Sequence, residues 1–241
     1  MSRPDIAGDA RRALETVAGG SVAIIPGNMG YGCIAATPDA LRKISAAKGR
    51  SAHKRHGIHG DWQLHRELHD LDEQSLDMVD TVTLDYDLPL GVVGPYRATH
   101  PLIRSADPET LRGATVDGTV NIVVNAGRLH GEITRLGREA GILIFGSSAN
   151  ATGTGVKSRL QDIERQVLDV ADCVIDYGLC QYYAYRRAST LINFAERRVI
   201  RAGTCYELIS DIMIRHYGWE LPPDPGLEAL PSGLLWEPSG R

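Results

Sequence analysis

The sequence lacks most of the signatures that would assign a chain quickly. Its four cysteines, Cys33, Cys173, Cys180 and Cys205, form no CxxC pair. That removes a zinc knuckle and a disulfide framework, and leaves four buried thiols in a reducing compartment as the simplest account. No stretch approaches the length of a membrane span, and the opening MSRPDIAGDARRALETVAGG has no apolar run of the signal-peptide kind. A cytoplasmic protein with no membrane partner is expected. No internal repeat is visible. A basic excess is missing too: the net charge of −4 argues against a general nucleic-acid binder. Neither GxxxxGK[ST] nor GxGxxG occurs, so any nucleotide here is held by another design.

What is present is an ordinary globular composition, 43% hydrophobic and 23% charged over 241 residues, enough for a substantial core. The apolar periodicity predicts a helix over 9–18, stopped by Gly19-Gly20, then a buried strand over 21–25 (SVAII) ended by Pro26. Thr37-Pro38 predicts a capped helix to about residue 47, and KGRSAHKRHGIHG after it reads as a basic loop. A helix or helix pair is expected over 61–80, and a strand-like stretch over 81–105 is interrupted by Pro89, Pro95 and Pro101. Further strands are expected over 119–124 (TVNIVV), 142–145, 173–176, 189–194 and 197–203, with helices over 128–140, 158–171 and 204–217. Interleaved strands and helices mean an α/β fold, with a mixed sheet because the late strands are too close for helical crossovers. A single domain over 1–218 is expected, followed by a Pro/Gly-rich tail over 219–241 that reads as loose from Pro222.

The stretch GILIFGSSANATGTG, residues 141–155, starts as a buried strand and ends in small residues. A plain turn explains some of this. Small side chains that admit an anionic ligand to backbone N–H groups at a strand end explain it as well. Three polar clusters flank such strand ends: Lys48-Gly49-Arg50, Ser147-Ser148-Ala149-Asn150, and Ser189-Thr190 with Arg201-Ala202-Gly203. Cations, hydroxyls and exposed backbone are what a triphosphate requires.

In this order, with a strand ending in Pro26, then Tyr31-Gly32, Asp176-x-Gly178 and Ile200-Arg201-Ala202-Gly203, the chain resembles the YrdC-like family over about residues 10–208. The best-known members of that family are threonylcarbamoyl-AMP synthases. The resemblance implies a twisted open mixed sheet with flanking helices around a large concave cavity. It also implies a reaction of ATP, bicarbonate and L-threonine, with Mg²⁺, giving threonylcarbamoyl-adenylate and pyrophosphate for tRNA modification. Lys48 and Arg50 would be catalytic and hold the phosphates, while Ser148, Asn150, Ser189 and Arg201 would contact the nucleotide. Gly27, Met29, Tyr31, His59 and Val124 would line the substrate side, and no metal ligand is assigned.

The departures fall on that substrate side. The family's Pro-Thr-x-Thr is Pro26-Gly27-Asn28-Met29 here, and Val124 aligns with an Arg that would pair with the amino-acid carboxylate. A related domain in hydrogenase-maturation carbamoyltransferases lacks Pro-Thr-x-Thr and makes carbamoyl-AMP from carbamoyl phosphate. The expected partners are therefore small molecules: ATP, bicarbonate or carbamoyl phosphate, and an amino acid or small amine, with a possible downstream transferase.

Other clusters have plainer readings. His65 and His69 stand four apart in HRELH, which lacks the Glu of HExxH, so a solvated helix face is expected rather than a metal pair. The basic residues 54–56 with Arg42, Lys43, Lys48 and Arg50 suit an RNA patch or a ligand site. A non-catalytic nucleotide- or RNA-binding module is thus the alternative to an enzyme. Cys33 reads as core.

Overall fold

The computed structural model describes residues 3–49 and 55–236. Among these, the strands are β1 (Ala23–Pro26), β2 (Tyr31–Ala35), β3 (Gly57–Gly60), β4 (Leu90–Pro95), β5 (Thr115–Val116), β6 (Thr119–Val124), β7 (Ile144–Ser148), β8 (Cys173–Val174), β9 (Thr190–Asn193) and β10 (Arg198–Arg201). They form one mixed sheet in the order β10-β9-β4-β6-β3-β7-β2-β1-β8, with β5 paired to β6. The helices are α1 (Ile6–Ala18), α2 (Pro38–Ala47), α3 (Trp62–Leu68), α4 (Glu73–Asp80), α5 (Pro101–Ser105), α6 (Pro108–Ala114), α7 (Arg128–Glu139), α8 (Arg165–Leu168), α9 (Tyr206–Tyr217) and α10 (Gly226–Ala229). Their starts follow from local chemistry: the Thr37 hydroxyl accepts from Ala40 N–H, and the Asp61 and Asp72 carboxylates accept from Leu64 and Ser75 N–H.

Strand alternation divides the core in two. On one face Ile24, Cys33, Ile58, Ile122 and Phe145 join a large cluster that α2, α4 and α9 cover. On the other, Ile25, Ile34 and Ile144 pack under α1 and α7. This second face is only half covered. Ile34 pairs with Gly146 in register, Gly32 with Ser148, and Gly57 with Gly146. Beyond the isoleucines, the middle of this face therefore carries hydrogen atoms where side chains would stand.

The mixed α/β sheet was expected, and the four cysteines are free and buried as expected. Several elements differ. β3 lies in the stretch read as a basic loop, β2 was not expected as a strand, and β7 continues through Ser148. Within 81–105 only Leu90–Pro95 is a strand: Thr81–Asp85 is a π-helical turn and Pro101–Ser105 a helix. The helix expected over 158–171 is broken into a 3₁₀ turn (Leu160–Asp162) and α8, because Glu164 in extended conformation turns its carboxylate to Ala151 N–H and Lys157.

The described part of the stretch from Pro222, residues 222–236, was expected to be loose and is held. Arg187, 4% exposed, donates to both carboxylate oxygens of Asp224 at 2.8 Å and to Leu230 O at 2.7 Å. Ala202 N–H donates to Gly233 O at 2.8 Å, Leu235 N–H to Ile200 O at 2.8 Å, and the Arg198 guanidinium lies 3.6 Å over the Trp236 ring.

Candidate functional site

The bare half of the second face is a cavity of about 270 Å³. Its floor is Gly32, Gly57 and Gly146, its far wall Ser189, Leu191 and Arg201, and its near wall His59, Asn121, Val123 and His130. The β1–β2 turn overhangs it with Gly27, Met29 and Gly30. That turn is tied on three sides: Asn28 N–H donates to Ala126 O (2.7 Å), Tyr31 N–H to Lys157 O (2.9 Å) and Tyr182 N–H to Asn28 O (2.8 Å). A Cβ on Gly30 would sit 2.1 Å from Val156 Cγ1, so the overhang requires glycine there.

Members of the three expected clusters gather into two groups across the cavity. Lys48, at the C-terminus of α2 and 4% exposed, donates through Nζ to Ser148 O. Thr152 N–H donates to Lys48 O and Asn150 N–H to Ser148 O. Lys48, Ser148 and Asn150 therefore form one unit across α2 and the end of β7, with Ser148 on the cavity wall and the Lys48 and Asn150 side chains behind it. Arg50 lies outside the described residues. Across the cavity, Arg201 Nε donates to Ser189 O at 2.8 Å and its Nη2 to Ser189 Oγ at 3.3 Å. Burial pushes the Arg201 guanidinium down to about 10, so it remains a cation at neutral pH.

The small-residue loop after β7 has its own anchor, which the sequence did not reveal. Burial would raise the Glu164 carboxyl, but hydrogen bonds from Lys157, Thr154 and Ala151 pull it down to about 2. Gly153 and Gly155 sit at φ of +86° and +79° with open space around them, so the loop exposes backbone on a fixed base.

The residues expected on the substrate side divide between the cavity and the opposite face of the sheet. Gly27, Met29, Tyr31 and His59 line the cavity, but the Tyr31 hydroxyl donates to Asp176 Oδ1 at 2.5 Å, and burial, then this bond, holds it above the usual phenol range. Val124 does not face the cavity. Val120, Ile122 and Val124 point to the opposite side, and Asn121 and Val123 are the cavity-facing residues of β6, a one-residue offset that reverses the face. Neither is a cation. Arg55 also lines the cavity.

His59 and His130 stand with ring centroids 5.1 Å apart. Burial pushes His59 down to about 4, and burial with His59 beside it holds His130 well below its ordinary value, so both are neutral at pH 7. His59 Nδ1, both ring nitrogens of His130, Asn121 Oδ1 and Ser147 Oγ are buried without a hydrogen-bond partner. Buried polar groups are normally paired, so this wall offers donors and acceptors to a polar, uncharged group. The alternation of TVNIVV would have located Asn121; His130 carried no signal beyond its place in α7.

The remaining clusters resolve simply. His65 and His69 are fully buried, not solvated, with Nδ1 atoms 2.7 Å apart. Among the described residues no group of three His, Cys, Asp or Glu side chains converges for a metal, and no helix is long and apolar enough to cross a membrane. The basic patch is dispersed: Arg42 pairs with Asp39 and Glu109, and Lys48 and His56 are buried. Lys54 lies outside the described residues.

Comparison with known proteins agrees with this architecture. No curated protein sequence matches the chain. The fold matches a hypothetical protein, smu.1377c, from Streptococcus mutans UA159 at a TM-score of 0.70 and 19% identity, covering 88% of this chain and 93% of that one. It matches P. abyssi Sua5 complexed with L-threonine at 0.71 and 20% identity, covering 92% of this chain and 61% of that one. Full-length HypF in its phosphate- and nucleotide-bound form matches at 0.62 and 13% identity, covering 86% of this chain and 26% of that one. This chain thus spans about three-fifths of the Sua5 protein and a quarter of HypF. A family model described as telomere recombination, Sua5/YciO/YrdC, matches residues 15–203, and the chain, with its twisted mixed sheet and glycine-floored cavity, belongs to that family.

Proposed function

We propose that this protein is an ATP-dependent, adenylate-forming enzyme of the threonylcarbamoyl-AMP synthase kind, making a carbamoyl-type adenylate with an altered acceptor. The observation that carries this reading is the pairing of Lys48 with Ser148 on one wall and Arg201 with Ser189 on the other, across a floor without side chains. A carbamate oxygen attacks the α-phosphorus of ATP; where carbamoyl phosphate is the donor, water first cleaves it to carbamate and inorganic phosphate, and the phosphate departs before this step. A P–O bond forms as the bond to pyrophosphate breaks, and pyrophosphate leaves with the electron pair. The chain needs no covalent nucleophile for this. Its task is to position the reactants and neutralise charge, which Arg50, Arg201 and Lys48 do in this reading. Ser148, Asn150 and Ser189 orient the nucleotide.

The described cavity wall contains no carboxylate, so it supplies no ligand set for Mg²⁺; the metal implied by the family would arrive on the triphosphate. The near wall, Asn121, Val123, His59 and His130, is uncharged at neutral pH. Beside these four residues a carbamoyl group or a neutral amine is favoured over a carboxylate, which would have to reach Arg55 or Arg201 elsewhere in the lining, and this makes carbamoyl phosphate the second candidate donor.

The test is pyrophosphate release with ATP and Mg²⁺, comparing bicarbonate plus each amino acid against carbamoyl phosphate. Release with carbamoyl phosphate alone selects the carbamoyl-AMP reading, and release with threonine and bicarbonate restores the ordinary family reaction. No release under any condition refutes the enzyme reading in favour of a binding module.

A further inference from the structure

Beyond the carboxyl ends of β3 and β6 lies a second pocket of about 140 Å³. Alternation along the strands builds it: His59 and Val123 face the large cavity, and their neighbours Gly60 and Val124 face this one. One residue, His130, lines both. Trp62 and Leu84, 41% and 46% exposed, form the outer rim. Leu84 belongs to the π-helical turn 81–85, a rare geometry that is frequent at functional sites. Asn125 and Asp87 beside it have φ of +54° and +53°, and the Asn125 amide cross-ties the rim by donating to Thr83 O, Leu88 O and Asp87 Oδ1.

The charged and hydroxyl groups of this pocket are turned to the protein. Asp61 accepts from Leu64 N–H at 2.7 Å and faces Arg138 Nε at 3.7 Å. Thr83 Oγ1 donates to Val79 O at 2.8 Å. His130 differs: it is 2% exposed, and neither ring nitrogen has a partner. The one carboxylate here, Asp61, already faces Arg138, so an ion entering finds no unpaired counter-charge. A small uncharged molecule loses little and meets one imidazole.

We propose that this pocket is a second opening onto the large cavity, that it admits small uncharged molecules of the size of carbon dioxide or ammonia, and that the His130 ring is its partition. No hydrogen bond holds that ring, so turning it aside breaks none. The inference rests on the large cavity being the reaction chamber proposed above. It gives the one-carbon reactant, or an amine in the unprotonated form needed for attack on carbon, a route separate from the wide mouth that takes the nucleotide.

A Cβ on Gly131 meets no atom within 4 Å, so the backbone there admits a side chain; Gly131→Leu is chosen to fill the pocket, and Leu84→Trp on the exposed rim to block it independently. Xenon under pressure probes apolar space without relying on catalysis. Methyl NMR signals of Val124 and Leu84 are expected to shift with xenon in the wild type, and that of Val124 to stay put in both variants. Unmoved methyls in the wild type overturn the pocket. The His130 ring signal is then followed in carbon dioxide and in ammonia at matched pH, and the molecule that moves it in the wild type but not in the variants is the ligand. A shift that persists in both variants, or none with either molecule, overturns the port. In the pyrophosphate assay, both variants should lose several-fold in rate at limiting reactant while ATP affinity holds; an unchanged rate overturns the route. A wild type that releases no pyrophosphate refutes the proposed function, and the xenon result still decides the pocket.

Discussion

Gly146 and Gly57 face each other in the cavity floor, yet they should respond oppositely to a single methyl group. A Cβ on Gly146 would lie 2.3 Å from Cys33 O, a backbone atom of the paired strand, and 2.7 Å from His59 Nε2. Contacts below 3.0 Å are essentially never seen for real Cβ atoms. β2 would have to retreat by about 0.7 Å in the middle of its ladder, and overpacking of this kind costs about 1–3 kcal/mol. For a chain of this size that corresponds to roughly 3–10 °C in melting temperature. A Cβ on Gly57 meets Asn121 Nδ2 at 3.1 Å and Val123 Cγ2 at 3.6 Å, both side-chain atoms that can yield. Removing a strand glycine also gains about 0.4–1 kcal/mol through the unfolded chain. Gly57→Ala should therefore melt within about 2 °C of the wild type and still lose ATP affinity, because its methyl projects into the cavity. Differential scanning calorimetry and titration calorimetry read the two effects separately. Equal melting temperatures for the two variants would refute the steric reasoning.

Other expectations concern the cations, the tail and the buried histidines. Lys48→Met, which keeps the buried stem, should weaken ATP binding at least tenfold by calorimetry; unchanged affinity would remove Lys48 from the site. Asp224→Ala leaves the buried Arg187 cation without its carboxylate, and since Asp224 is itself partly exposed the cost should be about 1–2 kcal/mol, with faster proteolysis after residue 218. His59, His65 and His69 are held below the ordinary histidine value, mainly by burial, at about 4, 2 and 4. Their unfolded forms take up protons first, so the stability present above about pH 6.5 should fall as pH drops toward 4, by about 2 kcal/mol per histidine at pH 5. Urea unfolding at pH 7 and pH 5 measures this, and a flat profile would contradict it.

Elements announced by local chemistry were legible in the sequence: the Thr37-Pro38 helix start, the SVAII strand and the alternation in TVNIVV. β3 was not, because Gly-Ile-His-Gly has little strand propensity of its own and is extended only by pairing with β6 on one side and β7 on the other. The region 158–171 had the spacing of a helix and lost to tertiary hydrogen bonds at Glu164. On the site, Ser148, Ser189, Arg201, Gly27, Met29 and His59 reach one cavity, and Lys48 and Asn150 stand just behind its wall. Val124 missed it by one residue, since an alignment fixes the strand but the pleat decides the face. His65 and His69 looked solvated because helical spacing does not say which side is covered.

The glycine floor has a thermodynamic meaning for the empty protein. Over Ile34 and Ile144 the sheet is covered by α1 and α7, and over Gly32, Gly57 and Gly146 none of the described residues takes their place. Among the described residues the sheet thus leaves a layer open over these glycines, and whatever binds there completes the interior as much as it occupies a surface. A ligand at a hundred times its dissociation constant would add about 2.7 kcal/mol to folding, comparable to a whole buried side chain.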